Sequence, residues 1–230
     1  MGGGTVIGVL AGCGGAGASV FAAVLAGCAA AVGPSLLVDC DAMGGGIDVL
    51  LGCEQVPGPR WRQVRLGGGD LDSGVLLGSL PRWEDACFLA ADDTAALDPD
   101  TVRTVVVAGA QQATVVLDLP RWPSKLRATA LACCDRILLV VPAEVRAVTA
   151  AAFLVSGLPP DRVAVAVRGV CRSLPADRIG SLLGLTVVGH LPYDPASLRP
   201  GGLQLSRIRR GTRAVAQTVL TASPVTESAA

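Results

Sequence analysis

Residues 5–41, TVIGVLAGCGGAGASVFAAVLAGCAAAVGPSLLVDCD, constrain the fold more than any other stretch. An apolar β-type run, Thr5 to Leu10, meets a turn carrying Gly12, Gly14, Gly15 and Gly17, and an Ala-rich helical run follows from about Ser19 to Ala31. Gly33 and Pro34 stop that run, and a second apolar run, Leu36 to Val38, leads into Asp39 and Asp41. Strand, glycine loop, helix, strand, carboxylate is the order of a phosphate-binding βαβ unit. A turn that wraps an anion needs positive φ angles and close backbone approach, which a Cβ resists. Its N–H groups then form a nest, and the positive end of the following helix adds to the field.

The working form of such a loop reads G-x-x-x-x-G-K-[ST]. The window Gly12 to Ser19 reads GCGGAGAS, so Ser19 stands where a hydroxyl would hold Mg²⁺, and Ala18 stands where lysine would touch the phosphates. The expected nucleotide-binding set is Gly12, Cys13, Gly14, Gly15, Ala16, Gly17, Ala18, Ser19 and Val20. Binding through the backbone survives the loss of the lysine, but phosphoryl transfer depends on charge stabilisation and should be weak or absent. The bland alternative is a tight turn in a glycine-rich chain: 29 of the 230 residues are Gly. The flanking strand, helix and carboxylates favour the degenerate phosphate loop.

Lys and Arg total 19, as do Asp and Glu, which argues against wholesale electrostatic binding to nucleic acid. Arg207, Arg209, Arg210 and Arg213 still form a local basic cluster, read first as a solvated helix face. At 51% hydrophobic and 17% charged, the chain should fold into one large α/β domain, placed at residues 1–222, with 223–230 as a disordered tail. The eight cysteines lack zinc-site spacing and read as reduced thiols of a cytoplasmic protein. No signal peptide or membrane span is expected. The chain opens almost directly on a core strand, as would a domain cut from a longer protein.

Further strands are expected at 86–90, 113–118, 136–141, 163–167 and 185–189, and helices at 47–53, 72–80, 100–109, 124–133, 145–155, 175–183 and 203–220. The near-continuous apolar strands alternate with helices, which predicts a three-layer, doubly wound, mostly parallel sheet. Residues 113–118, ATVVLD, end an apolar strand on Asp118, as a Walker B element does. Asp39, Asp41 and Asp118 are therefore the expected catalytic carboxylates, and Ser19, Asp41 and Asp118 the expected Mg²⁺ set. His190, the only histidine, reads as structural.

GCGGAGAS, LLVDCDAMGGGIDVLLG, VVLDLPR, DRILLVVPAEVRAV and GHLPYDP together resemble the MinD/ParA superfamily of deviant-Walker ATPases, and within it the CpaE/TadZ-like group, especially the actinobacterial CpaE-like septum site-determining proteins. The resemblance implies a P-loop NTPase-like fold, ATP or ADP with Mg²⁺ as ligands, a possible homodimer, and partners in the division or secretion/pilus machinery. Recruitment to the membrane or cell pole would then run through those partners. The family's signature lysine falls on Cys13 and its loop lysine on Ala18, so both are missing; its adenine-reading Asn falls near Arg168. The resemblance thus implies a spatial regulator with weak or absent ATP hydrolysis. The rivals are a non-enzymatic scaffold with a relic site, and an active ATPase that uses another cation such as Arg121 or Arg168.

Overall fold

The computed structural model describes residues 4–66, 71–91, 97–194 and 201–222. Gly67 to Gly69, Pro195 of the GHLPYDP run and the expected tail lie outside the described residues.

Eight strands make one sheet: β1 (Val6–Ala11), β2 (Ser35–Asp39), β3 (Arg82–Trp83), β4 (Ala86–Leu89), β5 (Thr114–Leu119), β6 (Arg136–Pro142), β7 (Val163–Arg168) and β8 (Thr186–Leu191). Their order is β3-β4-β2-β5-β1-β6-β7-β8, and every pairing is parallel except β3 with β4. The helices are α1 (Ala18–Ala30), α2 (Ile47–Leu51), α3 (Ser73–Ser79), α4 (Pro99–Ala110), α5 (Lys125–Ala132), α6 (Val145–Val155), α7 (Ala176–Leu183) and α8 (Arg210–Thr221). The doubly wound α/β expectation holds, with the short β3 as the antiparallel edge.

Strand alternation builds two cores. Ile7, Val9, Leu37 and Val116 point to the face covered by α1 and α8, together with Phe21, Leu25 and Val215. Leu10, Leu36, Val38, Val115 and Leu117 point to the other, with Val102 and Val105 of α4 and Ala147 of α6. Asp39 follows Leu37 by two residues, and Asp118 follows Val116 by two, so both carboxylates emerge on the α1 face. The register also pairs Asp39 with Asp118 directly on neighbouring strands.

Local chemistry sets the helix starts. Asp72, Asp98 and Ser124 cap α3, α4 and α5 by accepting the N–H groups of Val75, Thr101 and Arg127 at 2.8, 2.8 and 3.0 Å. Helix α1 differs: its cap is Gly17, with no side-chain bond and no acid in the first turn. Its mid-point is closely packed, since a Cβ on Gly27 would lie 3.0 Å from the Trp83 ring and 3.2 Å from Leu205.

The last helix corrects the expected 203–220: it starts at Arg210, after a 3-10 turn at Leu205–Arg207. The intervening backbone is held elsewhere. Trp83 Nε1 donates to the Leu203 carbonyl at 2.9 Å, the Leu203 N–H donates to Leu50 at 2.9 Å, and the Leu205 N–H donates to Glu84 at 3.1 Å. Arg207 therefore sits in the 3-10 turn and Arg209 caps the helix, leaving Arg210 and Arg213 of the basic cluster on α8. Strand β8 also runs past its expected end, through His190, whose Nε2 meets the Gly169 carbonyl.

Candidate functional site

The loop between β1 and α1 opens at the carboxyl edge of the sheet, where ligands enter doubly wound folds. Gly12 secures its first turn: its N–H donates to Val140 at 2.9 Å, and a Cβ there would lie 2.9 Å from Val141 Cγ2. Gly15 and Gly17 adopt φ of 73° and 87°, the left-handed region that the loop needs. A Cβ added to Gly14 or Gly15 would meet nothing within 4 Å, so this part of the loop faces open space. Ala16 and Ala18 are buried beneath it, and Cys13, Ser19 and Val20 are half-buried. The first four N–H groups of α1 have no intrahelical acceptor, as in any helix, and the cap Gly17 brings no side-chain bond to them.

The cleft in front of the loop has a volume of about 510 Å³ and is walled by Gly14 to Val20, Asp39, Asp41, Asp118, Arg121, Trp122 and Arg168, among others. The structure thus gathers most of the expected site residues. Ser19 and Asp118 line the same cleft, near enough for the Ser19 hydroxyl to favour the charged Asp118 carboxylate. Burial raises the Asp118 carboxyl to about 8, and the neighbouring Asp39 charge pushes the same way against the Ser19 hydroxyl. Asp41 bonds the Met43 N–H at 3.2 Å and stays partly exposed on the cleft wall.

Asp39, on the same cleft wall, is bonded through both oxygens. Its Oδ1 accepts the Asp41 N–H at 2.9 Å, and its Oδ2 accepts those of Ile47 at 2.9 Å and Ala91 at 3.1 Å. Both oxygens brace the 40–47 turn and tie it to the end of β4, so Asp39 shapes the site from below. Burial raises its carboxyl and the three N–H bonds oppose that shift. Those bonds favour charge on Asp39, which leaves Asp118 as the carboxyl that keeps its proton to higher pH.

Three cleft features have no counterpart in the loop motif. Arg168, at the end of β7, donates from Nη1 to the Gly15 carbonyl at 2.8 Å and stacks on Tyr193 at 5.3 Å. Arg121, just after β5, stacks on Trp122 at 5.0 Å, and its Nε is buried with no acceptor among the described residues. Trp122 itself is 72% exposed. The Cys13 thiol is raised by burial and by Glu144, while Arg121 and Arg168 pull it back, so both guanidinium groups lie near the loop's first turn. The Trp122 and Tyr193 placements carried no local signal, because each depends on where a distant strand end falls.

Beneath the 40–47 turn lies a residue the sequence reading passed over. Arg60, buried, pairs its Nε with Asp48 at 2.9 Å and gives its other donors to the carbonyls of Cys53, Val56 and Gly58. It also lies 5.2 Å over the Phe88 ring.

The donor set suits a phosphate chain with Mg²⁺. The glycine cradle is open, Ser19 and Asp118 are adjacent, and Asp41 shares the cleft. Among the described residues no group of three His, Cys, Asp or Glu side chains is placed to hold a metal unaided. Mg²⁺ is suited to such a site, because it keeps several waters and binds one or two protein groups plus phosphate oxygens.

No family model matches the chain. Two Mycobacterium tuberculosis proteins, Rv3660c of strain H37Rv and MT3760 of strain CDC 1551, both described only as uncharacterized, are each 37% identical over 213 residues. The match covers 89% of this chain but 60% of theirs, so the chain spans well under two thirds of these relatives. Among solved structures, a ParA family ATPase from Chlorobium tepidum superposes with a TM-score of 0.77 at 16% identity, covering 94% of this chain and 99% of that one. MinD in the Aquifex aeolicus MinC:MinD complex gives 0.73 at 18% identity, covering 95% and 96%. The Pyrococcus horikoshii septum site-determining protein MinD, complexed with Mg-ADP, gives 0.69 at 18% identity, covering 94% and 96%. The chain has the MinD/ParA type of P-loop NTPase fold. No helix among the described residues is long and apolar enough to cross a membrane.

Proposed function

We propose that this chain is a divergent MinD/ParA-type spatial regulator of the CpaE/TadZ-like group, which binds a nucleotide through its loop backbone and hydrolyses it weakly or not at all. The observation that carries this reading is the loop itself. Gly15 and Gly17 have the positive φ that a phosphate loop needs and Ser19 shares the cleft with Asp118, yet Cys13 and Ala18 stand at both lysine positions. Gly14, Gly15, Gly17 and the first turn of α1 would cradle the phosphates. Ser19, Asp41 and Asp118 would hold Mg²⁺ and its waters; the metal would supply charge neutralisation at the phosphate oxygens. Septum siting or the localisation of a secretion or pilus machine is the role that goes with this group, with division or pilus proteins as partners and a homodimer as a possible assembly.

The scaffold alternative has its own support. Trp122, Val145 and Phe153 are 72%, 73% and 80% exposed, and they line one groove beside the cleft. Such a surface fits protein contacts that need no turnover.

The test is calorimetric titration with ATP and ADP, with and without Mg²⁺, of the native chain and of an Ala18→Lys variant, with phosphate release measured in parallel. Micromolar binding with negligible turnover supports the reading. Binding by the variant alone shifts it to the scaffold. Absence of binding by both removes functional meaning from the loop.

A further inference from the structure

Both loop lysines are missing, but the cleft is not without cations. Arg168 and Arg121 reach the mouth of the loop from the ends of β7 and β5. Arg168 is 153 residues from its loop partner Gly15, so no motif scan joins them. Its guanidinium is fixed twice, by the Gly15 carbonyl and by the Tyr193 ring. A Cβ on Gly17 would come within 3.3 Å of Arg168 Nη1, so the loop is shaped to let it lie close. A guanidinium has five donors in a rigid fork, and the Gly15 bond uses one. Arg121 brings a donor, Nε, that is buried without an acceptor among the described residues.

On the other side of Arg168, the space between Gly17, Phe21, Leu191, Pro192 and Ile208 is only about 40 Å³. The cleft on the phosphate side is about 510 Å³. A cation therefore stands where the resemblance placed a base-reading amide, and the room lies with the phosphates.

Resting on the nucleotide-binding reading, we infer that Arg168, assisted by Arg121, is the phosphate-site cation of this chain, and that the site recognises the polyphosphate of its ligand rather than the base. The ligand class is a nucleoside di- or triphosphate of any base, with inorganic tripolyphosphate as its minimal form.

The experiment is titration calorimetry of the whole chain with Mg-ATP, Mg-GTP and Mg-tripolyphosphate. The proteins are the native chain, Arg168→Gln, Arg168→Lys, Arg121→Gln and the surface control Arg103→Gln, with ligand-free melting temperatures to verify folding. We expect the three ligands to bind the native chain within about fivefold of one another. Arg168→Gln should weaken all three at least tenfold, Arg168→Lys should recover part of the loss, Arg121→Gln should weaken binding less, and Arg103→Gln should change nothing. Native affinity retained by a folded Arg168→Gln overturns the inference and leaves the nucleotide reading standing. Mg-ATP binding more than tenfold tighter than both Mg-GTP and tripolyphosphate overturns the base-blind reading. No binding of any ligand by the native chain overturns the nucleotide reading and the inference with it.

Discussion

Asp118 is a buried acid set opposite another, and this should be visible in stability without any ligand. Its strand register places it beside Asp39, whose three N–H bonds favour the charged form. Asp118 therefore loses its proton last, at about 8 rather than the usual 3.8. Between these values the folded state binds more protons than the unfolded one, so stability falls as pH rises through the window. The loss is complete above the folded value and vanishes below the unfolded one. From pH 5 to pH 8 the shift corresponds to up to ~4 kcal/mol, and relaxation and water entry should leave at least ~2 kcal/mol of it. Asp118→Asn keeps the shape and the neighbour of Ser19 while removing the titration. Urea unfolding of both proteins in EDTA, followed by tryptophan fluorescence at several pH values, measures the difference. The two should differ by less than ~1 kcal/mol at pH 5, and the variant should be the more stable by at least ~2 kcal/mol at pH 8. Parallel curves would mean that Asp118 is already ionised in the folded protein, and the argument from its burial would fail.

Two further perturbations test the frame around the site. Arg60→Ala strands the half-buried Asp48 and the buried Cys53 carbonyl; breaking such a pair from one side should cost about 3–5 kcal/mol in urea unfolding. A cost under ~1 kcal/mol would show that the 47–60 segment does not depend on this hub. Gly15→Ala and Gly17→Ala share a left-handed backbone, worth about 1–2 kcal/mol each, but only the second pushes a Cβ against Arg168. Unfolding should show Gly17→Ala as the more destabilising of the two, and equal costs would mean that Arg168 yields freely.

What the sequence revealed and what it hid divide along physical lines. Strands such as Arg136–Pro142 and Thr114–Leu119 were legible because a strand buried on both faces must be apolar throughout, and short-range chemistry writes that into consecutive residues. The loop was legible because positive φ calls for glycine. Strand β3 was not, since two residues, Arg82 and Trp83, are strand only by virtue of pairing with β4. The start of α8 was misplaced for a similar reason: Leu203 and Ile208 are as apolar as helix-face residues, but their backbone neighbours are bonded to Trp83, Leu50 and Glu84. Asp39 looked like Asp118, each closing an apolar run. Only the approach of the Ile47 and Ala91 N–H groups, 8 and 52 residues away, gives Asp39 its bracing bonds.

The same distinction governs the charge of the site. A motif records which residue stands at a position in the loop, and by that measure the loop has lost its cations at Cys13 and Ala18. Electrostatic stabilisation depends on distance, orientation and burial, not on which segment supplies the charge. Arg168 is bonded to the loop backbone at 2.8 Å, so it moves with the loop as a lysine within it would. Its planar fork suits a phosphate chain better than a single ammonium does. An arginine tethered in this way favours holding polyphosphate firmly. Firm binding of the phosphate chain is therefore the behaviour that this arrangement of charges favours.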